Sequence, residues 1–166
     1  MTFVEVIELG FKSTLMDGKV RLNGTYFNNS YENQQLTVGR LVNGQPTADL
    51  INAQEATLVG LELEMLAQLT DSLALTLTWG HLDGQYDVFT VDDNVIDPVT
   101  LVESILVRDL SGTGFGSGDD GVSDTFDVSL IHTASLSSGA DIVSQIGLSR
   151  YDSSYNTLLN VPSSLA

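Results

Sequence analysis

Leu61, Leu63, Met65, Ala67 and Leu69 alternate with Glu62, Glu64 and Gln68. After the polar break Thr70-Asp71-Ser72, Leu73, Leu75, Leu77 and Trp79 alternate with Ala74, Thr76, Thr78 and Gly80. A period of two places one residue set on each face of a strand. One face is then apolar, and the other carries carboxylates and hydroxyls. Two such strands joined by a tight turn are what a membrane β-barrel needs, with lipid outside and a wet lumen inside. Leu58, Leu61, Met65 and Leu69 also fit helical spacing, within a stretch rich in good helix formers. Helix therefore stays open at 56–69 on propensity alone, although Gly60 and the alternating partner favour a strand.

The same period recurs along the chain. Ile7, Leu9 and Phe11 alternate with Glu8, Gly10 and Lys12, predicting a strand near 3–14. Met16-Asp17-Gly18-Lys19 is a tight-turn signal, because glycine supplies positive φ without steric cost. A second strand runs over 19–42, and its polar middle, Asn28 to Gln35, belongs above a membrane rather than in it. Asn43-Gly44-Gln45-Pro46 predicts a loop at 43–48. Further strands are expected at 49–69, 73–89, 123–136 and 141–155. Short turns then fall at 16–18, 70–72 and 137–140, and longer connections at 43–48 and 90–122. That alternation matches the periplasmic-turn, outer-loop asymmetry of outer-membrane barrels. Inside the second connection, Asp97-Pro98-Val99 up to Gly112 carries cap and terminator signals for a short helix, with Leu101, Val102, Ile105 and Leu106 on one side.

Composition narrows the classes. Across 166 residues there are 22 acidic and 6 basic side chains, a net charge of −16. Such a chain repels nucleic acid. Without cysteine it has no disulfide, thiolate metal site or Cys nucleophile. No apolar run approaches the roughly 20 residues of a membrane helix. The start, MTFVEVIELGFKS, lacks the features of a signal peptide. Together with a far end lacking a closing aromatic strand, this leads to the expectation of a slice of a barrel.

Ala56-Thr57-Leu58-Val59-Gly60-Leu61-Glu62-Leu63-Glu64 resembles the hairpin of TonB-dependent outer-membrane receptors. The resemblance continues through Thr70-Asp71 into Trp79-Gly80-His81-Leu82-Asp83-Gly84-Gln85-Tyr86. Upstream, Ile7-Glu8-Leu9-Gly10-Phe11-Lys12-Ser13 and Asp17-Gly18-Lys19-Val20-Arg21-Leu22-Asn23 are similar to the family's strand, turn and returning strand, with Phe27 and Tyr31 at its aromatic places. Over about 1–90 the likeness is continuous. It implies an all-β, antiparallel, up-and-down transmembrane barrel segment, with 1–166 as a partial barrel and a long acidic extracellular loop at about 90–122. It further implies active uptake of a scarce, bulky nutrient of the siderophore-iron, haem, cobalamin or oligosaccharide class. The implied partners are outer-membrane lipid and lipopolysaccharide, a plug domain with the rest of the barrel, and the inner-membrane TonB energy-coupling complex. Family barrels have 22 strands around a plugged lumen.

On this reading Ile7, Leu9, Phe11, Leu61, Leu63, Met65, Leu73, Leu75, Leu77 and Trp79 face lipid. Glu8, Lys12, Glu62, Glu64, Thr76 and Thr78 face the lumen, where the plainer account has them only solvating the wall. Residues 83–127 hold eleven acidic side chains against Arg108 alone. Asp92-Asp93-Asn94 and Asp119-Asp120-Gly121 could offer oxygen ligands to Ca²⁺, but neither has a calcium loop's spacing, and a solvated loop is the simpler reading. Gly112, Gly114, Gly116 and Gly118 suit a flexible tip rather than a nucleotide fingerprint. His81 and His132 lie far apart without nearby ligands, and no nucleophile elbow is present. The expectation is no enzyme, no cofactor and no metal. Two rivals remain: a small porin-like barrel, which needs at least eight strands, and a secreted acidic β-sandwich adhesin or carbohydrate-binding module. The sandwich predicts two apolar faces packed together with Trp79 between them.

Overall fold

The computed structural model describes residues 1–42, 45–97, 99–115 and 121–152. Eight strands form: β1 (Phe3–Leu15), β2 (Val20–Val42), β3 (Gln45–Thr70), β4 (Leu73–Val88), β5 (Thr90–Ile96), β6 (Glu103–Asp109), β7 (Val122–Ser135) and β8 (Asp141–Tyr151). Six pair antiparallel in the order β1-β2-β3-β4-β7-β8, and β5 with β6 make a separate hairpin. The expected up-and-down antiparallel sheet is therefore present, and 56–69 is strand rather than helix. The ambiguity there arose from propensity, and the ladder on both sides of β3 overrides it.

Alternation makes these strands, and three short turns at one end close the hairpins. At the first, φ is 53° at Met16 and Asp17 and 90° at Gly18, and the Gly18 amide donates to the Leu15 carbonyl at 3.2 Å. Glycine carries that backbone freely and aspartate tolerates it, whereas Met16 must be held in it by the turn. The second turn is fastened by its own hydroxyl, the Ser72 amide donating to Thr70 Oγ1 at 3.3 Å. The third uses Gly139 at φ 83°.

Two glycines in the sheet interior are required by close approach. A Cβ on Gly60 would lie 2.1 Å from Phe27 Cζ, and one on Gly24 would lie 2.4 Å from Phe11 Cε1. Each ring of one strand thus lies over a bare backbone on the next. The two interlocks sit on opposite faces, and sliding either pair by one residue would drive a ring into a side chain.

The far end of the sheet departs from expectation. β2 and β3 run to Val42 and from Gln45, so 45–48 is strand and not loop; Asn43 and Gly44 lie outside the described residues. The connection after β4 is also regular. Residues 103–109 form a strand where a short helix was expected. Asp97 does cap a local turn, its Oδ1 accepting from the amides of Val99 and Thr100 at 2.7 and 2.8 Å. The chain then turns at Leu101, φ 54°, and the β-branched run Val102, Ile105 and Val107 extends. Those amides hold the Asp97 carboxyl below the usual carboxylate range. Pro98, Gly116, Gly118, Asp119, Asp120 and the stretch 153–166 lie outside the described residues.

The core gathers here. Val38, Ala53, Ala56, Tyr86, Phe89 and Val91 are buried together, with Tyr31, Leu36, Ile51, Leu110 and Phe115 against them. In β2 the members are Tyr31 below Asn33 but Leu36 and Val38 above it; in β3 they are Ala56 below Glu55 but Ile51 and Ala53 above it. The phase changes in both strands at one level. There Asn33 takes φ 55° and the β3–β4 register shifts between Glu55 and Ala56. A one-residue irregularity swaps the faces of everything beyond it.

The Phe27–Gly60 interlock predicts a coupled stability effect. Gly60→Ala should destabilise the folded chain by about 1–3 kcal/mol through overpacking. Combining it with Phe27→Ala should cost clearly less than the sum of the two single changes. Additive unfolding free energies in that double-mutant cycle would remove the interlock as a cause of register.

Candidate functional site

Residues directly opposite on neighbouring strands share a face, so the register reads off both surfaces of the sheet. Phe11, Gly24, Leu63, Trp79 and Phe126 form one row; Leu22, Met65, Leu77 and Val128 form another; Val20, Ala67, Leu75 and Leu130 a third. The ten apolar residues singled out from the sequence, Ile7 through Trp79, all fall on this apolar face. No second sheet packs on it among the described residues, and at the sheet's margins Leu9 and Ile146 are each 73% exposed. The sandwich arrangement, with two apolar faces packed together, is absent from the described residues.

The opposite rows are polar. Lys12, Asn23, Glu64, Thr78 and Asp127 line up, as do Thr14, Arg21, Leu66, Thr76 and Ser129. Glu8, Lys12, Glu62, Glu64, Thr76 and Thr78 thus share this face, as their alternation required. The structure brings together Glu8, Lys12, Glu62 and Glu64, which with Asn23 and Thr25 line an open concavity of about 470 Å³. Asn23 Nδ2 donates to Glu64 Oε2 at 3.3 Å. Thr78 stands opposite Glu64 at its border and Thr76 one row further; the Thr76 hydroxyl meets Ser129 Oγ at 2.7 Å, and Gln145 Nε2 donates to that same oxygen at 3.2 Å. Ser149 and Asp127 hydrogen-bond further along. Hydroxyl and amide partners order this face among Thr76, Ser129 and Gln145.

At the upper margin of the apolar face, away from the short turns, the character changes. Trp79 stacks on His81 with ring centroids 6.2 Å apart, and His81 Nδ1 lies 3.1 Å from Asp124 Oδ1. The neighbours of that row along β4, β7 and β8 include Asp83 and Arg150. An aromatic residue followed by polar ones is the chemistry of a membrane–water boundary.

The hairpin β5–β6 was not legible as an element, and its residues form a largely buried ion pair. It lies against β2 and caps the polar-face side of the upper sheet, where Tyr31, Ala56 and Tyr86 form a cross-strand row. Tyr86 packs on Phe89 and Phe115, centroids 5.0 and 4.9 Å away, and burial pushes its hydroxyl pKa up. Arg108 clamps the hairpin down. Its Nε lies 3.1 Å from Asp93 Oδ2, and its Nη2 donates to the Gly39 carbonyl at 2.8 Å. The pair is largely buried, with 16% and 7% of the two side chains exposed. The available signal was the period-2 pattern Val91, Asp93, Val95 followed by Ile105 and Val107.

That arrangement also decides the calcium candidate at 92–94. Asp92 and Asp93 are successive residues of a strand and point to opposite faces, so they do not converge on one ion. Among the described residues no three His, Asp or Glu side chains are grouped to hold a metal. The Gly-rich stretch is in part built into the sheet: the Phe115 amide donates to the Gly84 carbonyl at 2.9 Å, and Gln85 bridges Gly114.

Arg108→Ala should remove the cation beside buried Asp93, costing about 3–5 kcal/mol of hairpin docking. Amide hydrogen exchange over 90–109 should accelerate accordingly, with β1 and β2 unchanged. The double change Arg108→Met with Asp93→Leu should restore most of the protection, and its failure to do so would place the anchor elsewhere.

A protein-family model described as TonB dependent receptor-like, beta-barrel, matches residues 5–163. No curated protein and no solved structure matches the chain.

Proposed function

Because this chain belongs to the TonB-dependent receptor β-barrel family, outer-membrane transport proteins and not enzymes, we propose that its sheet is an arc of the wall of an active-uptake receptor for a scarce, bulky nutrient. The observation that carries the reading is the division of one continuous sheet into an uncovered apolar face and a polar face. In the bilayer the first faces lipid through Ile7, Leu9, Phe11, Leu61, Leu63, Met65, Leu73, Leu75, Leu77 and Trp79. The second faces the lumen through Glu8, Lys12, Glu62, Glu64, Thr76 and Thr78.

Edges and lengths support a larger barrel. Among the described residues the outer edges of β1 and β8 have no partner strand. A sheet edge left open in hydrocarbon costs several kcal/mol for each unsatisfied peptide group. Further strands of the same receptor complete the circuit, and a plug fills the lumen. β2 and β3 have 23 and 26 residues, against about 9–11 for a tilted membrane strand. Their surplus stands outside the membrane with the capping hairpin, on the extracellular side, and the short turns lie in the periplasm.

The wall's part in transport is to stay rigid while the plug yields. Ladders flank β2, β3, β4 and β7 on both sides in the part of the sheet nearer the short turns and resist deformation, and the polar face presents carboxylates and hydroxyls along the path. Ligand enters from the outer side past the hairpin. The inner-membrane TonB complex supplies the energy, and lipopolysaccharide surrounds the outer margin. The ligand belongs to the siderophore-iron, haem, cobalamin or oligosaccharide class.

Cells lacking this receptor should lose energy-dependent uptake of one of those classes, measured with labelled compounds under scarcity. Uptake of all four unchanged, or uptake that persists when the inner-membrane gradient is collapsed, would sink the proposal. Orientation has its own check, because the chain has no cysteine. A membrane-impermeant maleimide should label Val99→Cys but not Asp71→Cys on intact cells, and the reverse pattern would invert the topology. Leu75→Arg should cost about 2–4 kcal/mol of assembly in lipid, against little for Thr78→Arg. Equal effects would mean that the two faces see the same surroundings.

A further inference from the structure

Neither outer edge of the β5–β6 hairpin pairs with another strand among the described residues, and that of β6 is the more exposed. β5 packs against β2 and is partly buried, whereas β6 is exposed along nearly its whole length, and among the described residues no strand pairs with its far side. The ladder fixes which peptide groups point there. The Asp97 amide donates to the Val102 carbonyl at 3.1 Å and the Leu110 amide to the Phe89 carbonyl at 2.8 Å. Even-numbered residues of this stretch therefore bond to β5, and Glu103, Ile105 and Val107 turn their N–H and C=O groups outward.

That edge lacks the usual protections. Proteins normally blunt a free edge with lysine, proline, a bulge or a covering element. β6 has no lysine, proline or bulge and, among the described residues, no covering element; its charges, Glu103, Arg108 and Asp109, sit at its ends, and between them Ile105, Leu106 and Val107 are 67%, 51% and 59% exposed. Val99, Leu101 and Val102 extend the apolar surface around the turn. The hairpin is net acidic. Over 90–109 stand Asp92, Asp93, Asp97, Glu103 and Asp109 against Arg108, which is engaged inward by Asp93.

We propose that β6 is a binding site for an extended, basic and apolar peptide segment that adds as a third strand to the hairpin. Backbone pairing along Glu103, Ile105 and Val107 supplies the affinity, the exposed aliphatic side chains take alternate apolar residues, and the carboxylates select lysine or arginine between them. Charge complementarity excludes the other occupants. A second copy of the hairpin brings the same carboxylates, and an anionic lipid surface is repelled. The site depends on the hairpin's own geometry and not on which nutrient the receptor carries, so failure of the uptake experiment leaves it standing.

The probe is a fluorescent peptide of about seven residues alternating Lys and Val, added to the full-length receptor in detergent and followed by anisotropy. Binding is expected, weakening as salt rises. The same peptide N-methylated on alternate residues, which cannot complete one ladder, should bind about tenfold more weakly or worse. A Glu–Val version should not bind. Ile105→Pro removes only an outward-pointing N–H and should reproduce the loss seen with the methylated peptide. No binding of the Lys–Val peptide, equal binding of its methylated form, or equal binding of the Glu–Val form overturns the proposal. So does concentration-dependent cross-linking of two receptors through β6. The methylated-peptide arm leaves the protein unaltered, so it decides even where the proline variant fails to fold.

Discussion

The ladder of backbone hydrogen bonds is the constraint on which everything else in this chain depends. Within a bilayer no water is available to satisfy a peptide group, so each strand must have a neighbour at every crossing residue. The pairing of β2 with β3 holds one register from Val20 opposite Ala67 to Val42 opposite Gln45. With register fixed, side chains have only two places to go, and alternation decides which. The rings of Phe11 and Phe27 over Gly24 and Gly60 then convert register from a preference into a steric requirement.

Legibility followed from how much each residue's surroundings depend on near neighbours. In the membrane-length part of the sheet, period-2 alternation alone assigns faces, and the residues named from sequence fall where alternation put them. The hairpin at 90–109 was opaque for a different reason. Its aspartates carry the same letters whether they solvate a loop or, like Asp93, are held by an arginine fifteen residues on. Asp97 and Pro98 are common at helix starts and turn starts alike, and only the chain's return along β5 distinguishes the two. Tyr31, Phe89 and Phe115 are brought together by that return, and no local pattern contains it.

Charge is distributed by the same logic. A chain with a net charge of −16 tolerates its carboxylates because nearly all stay at the polar face, the turns or the upper sheet, where water or donors reach them. Thr57 Oγ1 donates to Asp87 and the Ser111 amide to Asp109, whose carboxyl pKa is lowered by the Ser111 hydroxyl first and its amide second. Asp93 is 5% exposed and needs a charged partner, and Arg108 provides it. One cation placed at the hairpin therefore does what scattered surface pairs do not.

If the sheet is a barrel wall as proposed, β2 and β3 are each a single strand crossing two solvents, and the solvents impose opposite rules. In lipid the apolar residues must face outward; above it the apolar residues must face a protein core. An unbroken strand cannot obey both, because odd-numbered residues keep one face throughout. In β3 the odd-numbered Leu61 and Leu63 lie on the apolar face, while the odd-numbered Ile51 and Ala53 join the core with Ala56 and Tyr86 on the other side. The change of phase at Asn33 and between Glu55 and Ala56 reconciles them. It falls in β2 and β3 at one level, as it must if their mutual register is to survive the change. Strict alternation read through position 55 would have turned Ile51 and Ala53 away from the hairpin they hold. On the proposed reading the irregularity marks where the chain passes from one solvent to the other, and it lets a membrane wall and a small water-side core share the same two strands.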